Sequence, residues 1–167
     1  LNPGDELIIR DVWGAIEYKG PGYFIAGGAG VTPFIAILRQ LRRDKKLEDN
    51  YLIFSNRKER DVIHNDEFVE MLGPRFISTL TDEDSKKDYH YNRRLDEDFL
   101  REHVEHVDRE FYICGPEKMV HDITEILQNM GADPDSLVFE HVQRQIAVVH
   151  ALTPGGFKVV HRFGVFA

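Results

Sequence analysis

Apolar residues in this chain fall in short runs, separated by longer stretches in which they recur every three or four positions. Tyr23-Phe24-Ile25-Ala26 is a continuous apolar run, as a central strand covered on both faces requires. After it, Phe34, Ile37, Leu38 and Leu41 recur at helical spacing, with Arg39, Arg42 and Arg43 on the other faces. Pro33 opens that helix, where its missing N–H costs nothing. The alternation then repeats. Residues 51–55, 76–80, 111–114 and 137–140 predict four more strands. Asn65 predicts the N-cap of a helix carrying Phe68, Val69 and Leu72, which Gly73-Pro74 stops. A short helix carries Phe99, Leu100 and Val104, and Pro116 opens a last one that Gly131 closes. Residues 81–94 read as a polar loop. The series predicts an α/β fold: a five-stranded parallel sheet with helices on both faces.

The two ends depart from this series. Residues 7–10 and 15–18 read as strands of another, β-type domain, which places residues 1–20 apart from the α/β unit at 21–141. Residues 145–152 and 157–166 are apolar and β-branched around the turn Thr153-Pro154-Gly155-Gly156, so residues 142–167 predict a C-terminal extension built as a β-hairpin. The first residue is Leu1 rather than Met, as expected of a piece of a longer chain. With 42% hydrophobic and 30% charged residues, the composition is that of a soluble globular protein. A net charge of −8 argues against nonspecific binding to nucleic acid or an anionic membrane. No apolar run approaches the roughly 20 residues that cross a bilayer. The single cysteine, Cys114, excludes an internal disulfide and suits a reducing, cytoplasmic compartment.

Chemistry concentrates at two turns. Gly27-Gly28-Ala29-Gly30-Val31-Thr32-Pro33 joins the first strand to its helix, where glycines permit a sharp turn and the helix start attracts a pyrophosphate. Thr32 adds a hydroxyl suited to capping the helix or touching ribose or phosphate. A glycine-rich turn of this kind also serves as a plain tight connection. Cys114-Gly115-Pro116, followed by Glu117-Lys118-Met119, repeats the architecture after the fourth strand. Ligands of open α/β sheets bind beyond the carboxyl ends of the strands, so both turns are expected to open onto one crevice.

GGAGVTPF, the aromatic strand running into a glycine turn (FYICGPEKM) and the terminal LVFE together resemble the ferredoxin-NADP reductase superfamily, nearest to flavodoxin reductases and cytochrome b5 reductase-like proteins. The resemblance implies that Gly28, Ala29, Gly30 and Thr32 cradle the pyrophosphate and ribose of NAD(P)H. It implies that Gly27, Val31 and Pro33 shape that turn, and that Cys114, Gly115, Pro116 and Met119 border the nicotinamide, with Cys114 near its reactive carbon. Glu140 resembles the carboxylate that lies close to the flavin. Coenzyme preference falls to Ser55, Asn56, Arg57 and Asp82 beyond the second and third strands; Asp82 favours NADH, while Arg57 argues for NADPH. The implied function is hydride transfer from NAD(P)H to FAD, with electrons passing on to a small carrier such as flavodoxin or ferredoxin. Residues 1–20 resemble only the last strands of the flavin-binding barrel, whose Arg-x-Tyr-Ser/Thr motif is absent from these residues, and the chain continues past Glu140 where relatives usually stop.

Other patterns carry less. His103 and His106, flanked by Glu102 and Glu105, read as a solvated helix face, as do His121 and Asp122, so no metal is expected. No nucleophile stands at a strand-to-helix elbow beside a histidine and a carboxylate, which leaves hydrolase chemistry without support. The rival to a redox role is a nucleotide-binding or sensor module without turnover, and the carboxylate of Glu140 speaks for the enzyme.

Overall fold

The computed structural model describes residues 16–85 and 87–141. Six strands form one sheet: β1 (Gly22–Gly27), β2 (Tyr51–Asn56), β3 (Phe76–Leu80), β4 (His90–Tyr91), β5 (Glu110–Gly115) and β6 (Leu137–His141). Their order is β4-β3-β2-β1-β5-β6, and every pairing is parallel. Four helices connect them: α1 (Thr32–Arg43), α2 (Asn65–Leu72), α3 (Glu97–His103) and α4 (Glu117–Asn129).

Every residue of β1 is buried, which explains its unbroken apolar run. Phe24 and Ala26 point into a core filled by Phe34, Leu38 and Leu41 of α1 and Phe68 and Leu72 of α2. Tyr23 and Ile25 point into a second core with Phe99 and Leu100 of α3 and Val120, Ile123 and Leu127 of α4. Helices thus cover both faces, as the alternation predicts.

Three local expectations are revised. The polar loop at 81–94 contains β4, a two-residue edge strand that makes the sheet six-stranded rather than five. Residues 16–18 form no strand, because Tyr18 stacks on Tyr112 at 5.8 Å and the next backbone N–H groups, of Lys19 and Gly20, donate to the Tyr112 hydroxyl at 2.9 Å. Asn65 is the first helical residue of α2 rather than its cap; left-handed His64 (φ 54°) takes the cap, and the Asn65 amide donates to the Tyr89 hydroxyl at 3.1 Å. The expected strand at 7–10 and hairpin at 145–166 lie outside the described residues.

Candidate functional site

The chain leaves β1 toward β2, β3 and β4, then returns to place β5 and β6 on the other side. Strand order therefore reverses between β1 and β5, and the crevice of a doubly wound sheet opens there. Both glycine turns sit at that point. Gly28–Val31 form a single 3₁₀ turn that runs directly into α1. Neither the turn nor the first turn of α1 carries an acidic residue, so nothing opposes an anion at the positive end of the helix. Gly28 and Ala29 are exposed at this end, Gly30 and Val31 are buried, and Pro33 is half-buried. The donor set fits a pyrophosphate. Thr32 does not cap the helix: it is the first helical residue, and its hydroxyl donates to the Ala29 carbonyl oxygen.

The glycines do different work. Gly28 is left-handed (φ +53°), and a Cβ there would meet nothing. Gly30 lies against the second turn, where a Cβ would overlap the Cys114 carbonyl oxygen and stand 2.8 Å from the Gly115 nitrogen. A Cβ on Gly115 would be 3.2 Å from the Gly27 nitrogen and 3.1 Å from the Met119 sulfur; one on Gly27 would overlap that sulfur and stand 3.0 Å from Cδ of Pro116. The two turns are thus packed backbone on backbone, with the Met119 thioether between them.

Cys114 is 2% exposed and pairs with Glu140 across β5 and β6. In-register residues of neighbouring parallel strands share a face, so the thiol and the carboxylate lie on the same side of the sheet. Burial, with the Glu140 charge adding to it, pushes the Cys114 thiol up to about 11. At neutral pH the sulfur keeps its proton, so it is a weak donor and no thiolate nucleophile.

On the other rim, half-buried Ser55 lies in register with Gly27 and Thr79. Asn56, 6% exposed, closes β2 with its Nδ2 atom buried and unpartnered. Arg57 and Asp82, expected from the sequence to favour opposite coenzymes, are bonded to each other: Nε of Arg57 donates to Oδ2 of Asp82 at 2.7 Å. That hydrogen bond holds the Asp82 carboxyl below the usual carboxylate range and raises Arg57. The guanidinium remains 80% exposed.

Some participants escaped sequence reading. Glu59 binds Lys87, and its N–H donates to the Glu83 carboxylate at 2.8 Å, which ties the loops after β2 and β3 together. Glu83 and Lys87 lie in the stretch that reads as a polar loop. Thr79, buried with an unpartnered hydroxyl beside Ser55, was signalled only as a polar residue in an apolar strand. His103 is no solvated residue: its ring lies 4.2 Å from that of Phe99 and 4.8 Å from that of Tyr91, and burial lowers its pKa. His106 and His121 are exposed, as expected. Two surface concavities, one lined by Gly20, Asp49 and Arg109 and one by Val120, Thr124 and Phe139, lie away from the glycine turns.

Residues 24–125 match the oxidoreductase NAD-binding domain family. The chain is 27% identical over 153 residues to a component of the Na(+)-translocating NADH-quinone reductase of Klebsiella pneumoniae, an alignment covering 84% of this chain and 38% of that protein. It therefore spans well under half the length of the curated relatives it matches. The FAD/NAD-binding domain of a nitric oxide dioxygenase from Vibrio cholerae superposes with a TM-score of 0.61 at 20% identity, covering 75% of this chain and 52% of that one. A ferredoxin NADP+ reductase from Neisseria gonorrhoeae, solved with bound FAD and NADP, superposes with a TM-score of 0.58 at 22% identity, over 71% of this chain and 55% of its own. The fold is the one expected of ferredoxin reductase-like proteins. Among the described residues no helix is long and apolar enough to cross a membrane.

Proposed function

Because the chain belongs to the oxidoreductase NAD-binding domain family, we propose that it is the coenzyme-holding half of a flavoprotein reductase, binding NAD(P)H across its two glycine turns. One observation carries the reading: two glycine turns meet backbone to backbone at the reversal of strand order, beside an acid-free helix start. Gly27, Gly28, Ala29, Gly30, Val31, Thr32 and Pro33 receive the pyrophosphate. Ser55, Asn56, Arg57 and Asp82 meet the adenosine end, and Cys114, Gly115 and Pro116 border the nicotinamide, with Met119 packed behind them against their turn.

Bound there, the reduced coenzyme supplies a hydride for an FAD carried by a partner domain. The chain's own contribution is positioning and electrostatics. Cys114 holds its proton on Sγ beside the reacting ring, and Glu140, in register with it, presents a carboxylate on the flavin side. Electrons then pass to a small carrier of the flavodoxin or ferredoxin kind. Residues 1–20 belong to the flavin domain, 21–141 form the nucleotide domain, and 142–167 are an extension. The single buried thiol suits a reducing, cytoplasmic location.

Coenzyme preference follows from the Arg57–Asp82 pair. A 2′-phosphate would find Arg57 already engaged and Asp82 repelling it, whereas a free 2′-hydroxyl could donate to Asp82. NADH is therefore the preferred coenzyme. Calorimetric titration of the purified chain tests the proposal: NADH binds at a single site and more tightly than NADPH. Absence of binding to either would end the nucleotide assignment, and tighter NADPH binding would reverse the preference.

A further inference from the structure

Met119 is the third residue of α4, and its sulfur would overlap a Cβ on Gly27 and lie 3.1 Å from a Cβ on Gly115. A single thioether therefore fills the slot between the turn after β1 and the turn after β5. Methionine suits such a slot, being unbranched, polarizable and able to conform to a narrow gap lined by backbone. The rest of its side chain packs against the core under α3 and α4, so the sulfur is held from behind. Its contacts are with the walls of the crevice, and those walls carry the two halves of the site.

We propose that Met119 is a positioning residue: its thioether fixes the spacing between the two glycine turns, and so the match between the site and the full length of a nicotinamide dinucleotide. The inference rests on the reading above, in which the pyrophosphate occupies the first turn and the nicotinamide the second. A ligand that touches both turns gains from their fixed separation, because its second contact is made without further loss of freedom. A ligand held by the first turn alone gains nothing from it. ADP-ribose is such a ligand, since it has the pyrophosphate and both riboses but no nicotinamide.

The experiment compares NADH and ADP-ribose by calorimetry on the purified chain carrying Met119→Ala and Met119→Leu. Leucine keeps most of the volume, and such exchanges are usually tolerated. Met119→Ala is expected to weaken NADH about tenfold while leaving ADP-ribose within about twofold, and Met119→Leu is expected to restore NADH. Equal losses for both ligands would show a merely structural side chain and overturn the proposal, as would unchanged NADH affinity in a folded Met119→Ala protein. Failure of Met119→Leu to restore binding would assign the effect to direct sulfur contact and overturn it as well. If the alanine variant does not fold by circular dichroism, Met119→Val shortens the side chain and gives the same comparison. Wild-type protein that binds neither ligand would instead refute the nucleotide site itself.

Discussion

Gly28 and Gly30 stand two residues apart in one turn and require glycine for opposite reasons. Gly28 needs its left-handed backbone and has open space around it; Gly30 has an ordinary backbone and no space at all. Gly28→Ala should therefore cost about 1 kcal/mol of stability and leave NADH binding in place, as expected for alanine at positive φ. Gly30→Ala should cost more than about 2 kcal/mol and remove binding, because the new carbon must displace the Cys114–Gly115 peptide. Urea denaturation and calorimetry on both variants check this, and equal behaviour would refute the distinction. Cys114 gives a pH prediction. Its folded pKa of about 11 lies above the ordinary 9.0, so the stability it contributes is complete below pH 9 and falls as pH rises toward 11, by about 1.4 kcal/mol per pH unit. Buried Tyr23 and Tyr112 are also raised and add to the alkaline loss. Cys114→Ala should flatten the part of the stability profile between pH 9 and 10, measured by denaturation at fixed pH; an unchanged slope would place the loss on the tyrosines alone.

Among the elements, strands were more legible than the segments joining them. Four of the five strands that show in the sequence bury nearly every residue, and a buried parallel strand is a continuous apolar word; edge strand β6 buries Leu137 and shows through the run Leu137-Val138-Phe139. β4 does not show: with two residues, His90 and Tyr91, it has no period to read, and its pairing with Ser78 and Thr79 is supplied by β3. Nor do the ties between the loops after β2 and β3 show, since charges 25 positions apart carry no sign of their pairing. In the proposed site, these ties make coenzyme choice a property of two loops acting together. Asp82→Asn keeps the side-chain volume, removes the charge and releases Arg57 from its ion pair. The ratio of NADPH to NADH affinity is expected to rise about tenfold, read from paired titrations. An unchanged ratio would show that the pair only fastens the loops.

At the scale of the whole molecule, the order of the motifs and the order of the strands are separate facts. Alternation along the chain specifies a parallel sheet with helices on both faces, because apolar strands and amphipathic helices can bury their faces in few other ways. That alternation is local, and so are the glycine turns, the acid-free start of α1 and the position of Cys114 at the end of its strand. The sequence by itself therefore determined the fold class and carried the motifs on which the proposed coenzyme site rests. Tertiary structure decided the rest. The reversal of strand order between β1 and β5 brings turns 85 residues apart into backbone contact, so Gly30 abuts Cys114 and Met119 enters the slot between Gly27 and Gly115. It also set Glu140 beside Cys114 and engaged Arg57 with Asp82. Contacts of this kind depend on where distant segments arrive in space, and residue type and spacing along the chain do not encode that directly.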